Sequence, residues 1–453
     1  MMSRLNFELA AKAKLTTAQY NLGFKKINNP TAKLKIGIWV YIILLLFEGA
    51  LRKWVLPGLS TPLLIIRDPI GIWLIIVAVR NGVMKTNIYL TSAVLIGVLG
   101  LFSAILVGHG NIYVALYGSR MLLIQFPLIF VIGLVFTQQD VLKLGKFWLW
   151  LSIPMTILLV LQFFSPQSAW VNRGVGGDLK GGGFSGALGY FRGPTTFSFI
   201  NGTVSFYHLL ACFIFYFWLI PKKHVKSILL IGASICLLMS IPFAISRALF
   251  FSVLVTLAFA FFAISQKTLS IGPIILIILI ISIMIFGLSQ ISIFKTATDV
   301  FTTRFTQASG AEGGVQGTLG DRYLGGLYTS LLYADDIPLL GYGIGLFTNV
   351  GHIISTGKMA DAVGEQEWGR MIGELGILMG FALIFIRVGM SIKIARAAYK
   401  ALKKGDFMPW ILLSFCLLYL PQGQWSQPTS LGFCVLSAGI TIAALRKPDA
   451  LKN

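Results

Sequence analysis

Apolar positions in this chain fall into long runs broken by short polar interruptions. Twelve runs stand out, at roughly 36–51, 63–79, 88–107, 112–136, 144–164, 203–220, 227–245, 248–265, 271–288, 372–392, 409–420 and 429–445. A helix needs about 20 apolar residues to cross a hydrocarbon layer, so the pattern predicts an all-α polytopic membrane protein with about 12 transmembrane helices. The chain then divides into a basic N-terminal segment 1–35, spans one to nine over 36–288, a large loop 289–371, spans ten to twelve over 372–445, and a tail 446–453. An even number of spans puts both termini on one side.

Two polar intervals are long enough to carry chemistry. The first, Ser165–Gly202, is glycine-rich (G-V-G-G-D-L-K-G-G-G at 174–183) and closes with R-G-P-T-T-F-S at 192–198. Such glycine density either cradles a phosphate through backbone amides or forms a flexible surface loop, and the absence of a G-x-x-x-x-G-K-[ST] sequence favours the loop. The second, Ser289–Met371, holds eight of the sixteen acidic residues. Within it, Tyr323, Leu324, Leu327, Tyr328, Leu331 and Leu332 repeat on one helical face, which predicts an amphipathic helix over 321–334.

Composition strengthens the membrane reading. Of 453 residues, 56% are hydrophobic and only 12% charged, well outside the range of soluble domains. The net charge of +21 would suggest a nucleic-acid partner in a soluble protein. Here most basic residues sit at span ends, with P-K-K-H-V-K-S at 221–227 on one side and an uncharged 421–428 on the other. Positive-inside bias therefore predicts cytoplasmic termini and no nucleic-acid partner. Met1–Lys35 is polar and basic and does not resemble a cleavable signal peptide. Cys212, Cys236, Cys416 and Cys434 all lie in apolar runs without paired spacing, as small core hydrophobes do.

Ionisable residues close to a membrane need partners or ligands. Glu48 and Arg52 stand four apart on one helix face, a pairing distance, and Arg67 adjoins Asp68 at the start of span two. Arg120, Arg192, Arg247, Arg322 and Arg370 have no evident acidic neighbour near the expected outer ends of the spans. Each alone fits a loop ion pair or a snorkelling side chain; together they suit an anionic ligand, since the guanidinium fork binds phosphate bidentately. Glu367 and Glu374 share a helix face with Arg370, either as an intrahelical ion pair or as carboxylates able to accept a proton from a hydroxyl. Glu365 joins them as a candidate, and His352 is the lone loop histidine. No metal motif and no internal repeat is present, so neither a metal, a cofactor nor an inverted-repeat transporter is indicated.

Several fragments carry a resemblance. S-R-A-L-F at 246–250 is similar to S-R-G-A-L, P-L-L-G-Y-G-I-G-L-F at 338–347 to P-L-x-G-x-G-x-G-x-F, and E-L-G-I-L-M-G at 374–380 to E-L-G-x-x-G. With R-G-P-T-T-F-S at 192–198, these resemble the bacterial O-antigen ligase and O-antigen polymerase superfamily of integral membrane glycosyltransferases, over roughly Arg192–Gly380. The resemblance implies glycan transfer from undecaprenyl pyrophosphate to an acceptor hydroxyl at the periplasmic face of the bacterial inner membrane, with Arg247 and Arg322 on the pyrophosphate. It also implies membrane lipids and other polysaccharide-export proteins as partners. Ligases of that family carry a histidine about nine residues before the E-L-G glutamate; here that position is Glu365. The departure favours a polymerase of oligosaccharide repeat units over a ligase. Glu365 or Glu367 then serves as base or hydroxyl positioner, and Arg322 with Arg120, Arg192, Arg247 and Arg370 neutralises the leaving group. A transporter or flippase of an anionic lipid or solute is the rival from another class, and it predicts charges along a midplane path.

Overall fold

A computed structural model describes residues 30–220, 225–265, 287, 290–311, 337–348, 350–351, 354 and 366–446. Helices dominate them: α1 (Pro30–Ala50), α2 (Arg67–Arg80), α3 (Ile88–Leu106), α4 (Ile112–Arg120), α5 (Phe126–Val135), α6 (Gln138–Phe164), α7 (Ile200–Leu219), α8 (Ser227–Phe243), α9 (Arg247–Ser265), α10 (Ser292–Ala311), α11 (Glu367–Lys403), α12 (Met408–Tyr419) and α13 (Pro428–Ala444). Eight helical stretches among the described residues are long and apolar enough to cross a membrane, and α8, α12 and α13 are shorter apolar helices. The described chain is thus mostly helical, and its apolar helices are compatible with a multi-pass membrane protein. The expected span 271–288, the helix expected over 321–334, and Arg322, His352 and Glu365 lie outside the described residues.

Helix starts are set by local chemistry. Asn87 and Asn111 accept from backbone amides of the first turns of α3 and α4, and Thr137 with Asp140 forms a capping box on α6. Close helix packing depends on small residues: Gly133 of α5 lies against Ile442 of α13, and Gly439 of α13 against Ile132, a contact that any side chain on either glycine would push apart. A helix not foreseen in the sequence, α10, buries Ala297 and Val300 and sets the Phe301 and Phe305 rings tilted and edge-on against Phe250 of α9.

Two departures from simple spans shape the interior. Single π-helical turns end the first membrane stretch, at Leu51–Val55, and interrupt the fourth, at Met121–Gln125. In α11 the backbone leaves helical geometry at Gly376 (φ 76°, ψ 174°), a conformation open essentially to glycine alone. The chain reverses there, so residues 367–375 fold back along 377–403 and Gly380 meets the backbone of Met371 and Ile372. The expected tenth span, 372–392, is therefore a full crossing preceded by a short returning limb. Opposite that limb, 338–345 enters the same end of the bundle, with Gly343 against His109 and Gly345 against Val114 and Gly118 of α4.

The glycine-rich interval is built rather than free. Asn172 donates to the carbonyls of Gln162 and Ser165, Gly182 donates to the Asn172 carbonyl, and a two-stranded hairpin pairs β1 (Phe184–Ser185) with β2 (Phe191–Arg192). The flexible loop expected there is pinned to the end of α6 because Gln162 and Asn172 are buried and must find partners.

Candidate functional site

Two buried ionic centres lie inside the bundle. The first gathers around the π turn after α1. Glu48 faces Arg52 at 3.5 Å and Arg67 at 3.1 Å. Asp68 does not pair with the adjacent Arg67; it receives Arg120 at 2.9 Å and the Gln125 amide at 2.6 Å. Tyr41 ties the two halves, donating to Gln125 Oε1 at 2.7 Å and accepting from Arg67 at 3.4 Å. Arg120 also stacks on Tyr117, 4.2 Å from the ring centroid. Arg52 reaches the Ser60 carbonyl at 2.7 Å and Ser198 Oγ at 3.0 Å.

Lys53 is only 1% exposed, and its Nζ donates to the Thr195 carbonyl at 2.5 Å. That carbonyl belongs to R-G-P-T-T-F-S, which is clamped from several sides. Gln162 accepts from Thr195 N at 2.7 Å and Thr196 Oγ1 donates to the Leu46 carbonyl at 2.7 Å. Thr195 is held at φ 52°, an unusual conformation for a β-branched residue. Gly49 packs directly on this strap, on the backbone of residues 196–198.

The second centre forms where the two limbs of α11 meet. Glu367 Oε1 accepts from Arg370 at 2.8 Å and from Arg387, twenty positions on, at 2.7 Å. Its Oε2 accepts from Arg370 Nε at 3.1 Å and from Trp425 N at 3.0 Å. Arg370 also binds Glu374 at 2.5 Å, whose other oxygen accepts from Phe347 N at 3.0 Å. Arg387 donates further to the carbonyls of Leu420 and Gly423 and lies over the Trp425 ring. A small cavity beside the second centre is lined by Met121, Ile344, Arg370, Glu374, Arg387 and Trp425.

The candidates named from the sequence thus part company. Arg120 belongs to the first centre; Arg370, Glu367 and Glu374 form the second. Arg120, read as lacking an acidic neighbour, has Asp68 from another helix, and Arg370 takes the intrahelical alternative, pairing with Glu367 and Glu374 within one turn. Arg192 lies on β2, donating to the Ser185 carbonyl and stacked on Phe184, and Arg247 opens α9, half-buried. The structure does not bring Arg192 or Arg247 into either centre. Four donor contacts fill the acceptor directions of the Glu367 carboxylate, so it holds the returning limb in place rather than offering a lone pair to a hydroxyl. The expectation that charge gathers at one face also changes: Arg387 sits about 16 Å along its helix from Gly376, well inside the bundle.

Lys53, Gln125, Tyr117 and Trp425 carried no signal that periodicity or spacing exposes. Arg387 did: an arginine inside an apolar run needs a partner, and the partner is Glu367. Among the described residues no three His, Cys, Asp or Glu side chains come together as a metal site. No protein-family model matches the chain, and no curated protein matches it.

Proposed function

We propose that this protein is a glycosyltransferase of the inner membrane of bacteria, a polymerase that joins undecaprenyl-pyrophosphate-linked oligosaccharide repeat units into a surface polysaccharide such as O-antigen or exopolysaccharide. The reading takes the chain as about 12 spans with cytoplasmic termini and a large extracytoplasmic loop over 289–371. One observation carries it: two of the fragments behind the resemblance interlock. Tyr342 N donates to the Gly373 carbonyl at 2.8 Å, Gly343 N to the Glu374 carbonyl at 3.0 Å, and Phe347 N to the Glu374 side chain at 3.0 Å. P-L-L-G-Y-G-I-G-L-F and E-L-G thus form one unit, as a shared task requires.

In this mechanism the donor's diphosphate leaves as the acceptor hydroxyl attacks the anomeric carbon, and cations near the diphosphate stabilise the charge that develops. Of the two glutamates named to orient or deprotonate the hydroxyl, Glu365 takes the role, since Glu367 is saturated, with His352 as the alternative in the same loop. Arg322 and Arg247 are the candidate contacts to the diphosphate from the loop side. Partners are the lipid-linked donor, the glycan acceptor and neighbouring export proteins.

Deletion of the gene, followed by profiling of lipid-linked glycans and surface polysaccharide, tests the proposal. Single repeat units should accumulate, and Arg322→Ala or Glu365→Gln should fail to rescue. Long lipid-linked chains would identify a ligase instead, and unchanged glycans would end the reading. A transporter or flippase remains the second reading because charges such as Arg387 and Glu367 lie deep in the bundle; solute or lipid flux by the purified protein in sealed vesicles would favour it.

A further inference from the structure

The first ionic centre is out of balance. Arg52, Lys53, Arg67 and Arg120 are each no more than 8% exposed; the three arginines share two carboxylates, Glu48 and Asp68, and Lys53, on the same π turn as Arg52, pairs with neither. The second centre, by contrast, pairs two arginines with two glutamates. Excess buried charge is costly unless a counter-charge neutralises it, and among the described residues no further carboxylate pairs with these cations: Lys53 has a backbone carbonyl and the Trp54 ring for company.

Three further features mark the place as built for a ligand. Both π-helical turns among the described residues lie at it, one carrying Arg52 and Lys53, the other following Arg120 and carrying Gln125, and such turns recur at functional sites. Arg120 Nε and the Tyr117 hydroxyl are buried without a hydrogen-bond partner, although Arg120 is 7% exposed as a residue. The strained Thr195 strap closes the far side and is held by Lys53 and Gln162.

We propose that Arg52, Lys53, Arg67 and Arg120, with Tyr117 beside Arg120, form a seat for a dianionic phosphoryl group. Two excess cations match two negative charges, and the free donors on Arg120, Lys53 and Tyr117 match an oxygen-rich anion rather than a halide. A diphosphate diester, with one ionised oxygen on each phosphorus, fits that count. Assigning the group to the glycan donor rests on the function proposed above; the seat itself does not. It places the donor's diphosphate among α1, α2 and α4, in place of the contacts to Arg247, Arg322 and Arg370 named from the sequence.

The test uses the full-length protein in nanodiscs, titrated calorimetrically with inorganic pyrophosphate and with farnesyl diphosphate. Lys53→Met is the informative variant. It removes one excess cation, orphans no carboxylate, and leaves the Thr195 carbonyl its bond from Gln162. Wild type should bind at least one titrant; Lys53→Met should bind at least about tenfold more weakly, with an unfolding temperature unchanged or raised. Tyr117→Phe, which keeps the ring under Arg120, should weaken binding by about threefold or more. Preference for farnesyl diphosphate would identify a lipid headgroup as the ligand, and equal binding of pyrophosphate a free anion. Failure of wild type to bind either, or undiminished binding by Lys53→Met, would overturn the seat. Lys53-dependent binding in a protein that makes no polymer would sink the polymerase and leave the seat standing.

Discussion

Arg67 and Arg387 grip the same short segment at its two ends. Arg387 donates to the carbonyls of Leu420 and Gly423, and Arg67 to that of Pro428. Between them Trp425 N bonds Glu367, and Asn201 bonds the side chains of Gln424 and Gln427. The 420–428 segment carries no charge of its own, and its backbone carbonyls are what two otherwise separate ionic centres share. A shift in either centre is therefore felt by the other through one stretch of peptide.

Removing Glu367 should be severe. Glu367→Leu leaves Arg370 short of one partner and Arg387 without an ion pair in the interior, at a cost of about 3–5 kcal/mol. Thermal unfolding in detergent should show a large loss, and Glu367→Leu with Arg387→Met should recover much of it. A single variant as stable as wild type would contradict the geometry.

Gly376→Ala should prevent the reversal in α11. Its φ of 76° with ψ near 174° is closed to alanine, and an added Cβ would collide with the Leu339 carbonyl. The expected result is a protein that still inserts but exposes the returning limb, read as faster thiol labelling of a cysteine placed at Trp368. Unchanged labelling would argue against the fold-back.

The hairpin between β1 and β2 turns at Leu188 (φ 51°) and Gly189 (φ 80°), with Tyr190 N donating to the Ala187 carbonyl. That geometry asks for Asn or Gly at the first position. Leu188 is 61% exposed, so Leu188→Asn should stabilise by about 0.5–1 kcal/mol, seen as a higher unfolding temperature. A fall would mean that the leucine side chain has a partner of its own, and lipid is the first to test.

Orientation is open to a simple experiment. Asn81 and His109 lie beyond opposite ends of α3 and its flanking turns. Single cysteines at these positions, in a background without the native four, should label from opposite sides of the membrane, His109 from outside. Labelling from one side would remove α3 as a span.

Much of the fold was legible because apolar run length is a direct physical requirement of the bilayer. The site was legible only in part, for a physical reason: ionic partners inside a bundle are chosen by helix neighbours, and spacing reports only partners on the same helix. Glu48 with Arg52, and Arg370 with Glu367 and Glu374, obey the i, i+3 and i, i+4 rules and were readable. Asp68 with Arg120, and Glu367 with Arg387, join different helices or the two limbs of α11. Those pairs decide which arginines have charge to spare. Lys53 was hidden for the opposite reason, since its partner is a main-chain carbonyl that any sequence supplies.

The reversal at Gly376 has a consequence for biosynthesis. Residues 367–375 leave the ribosome carrying Glu367, Arg370 and Glu374, while Arg387 follows twenty positions later and Trp425 later still. A nascent limb with that charge load has no stable home in lipid, so it must wait in the insertion machinery or at the membrane surface until α12 and α13 are made. The second centre is thus completed only once Trp425 has been made, and partial chains that stop before Trp425 should be substrates for membrane quality control.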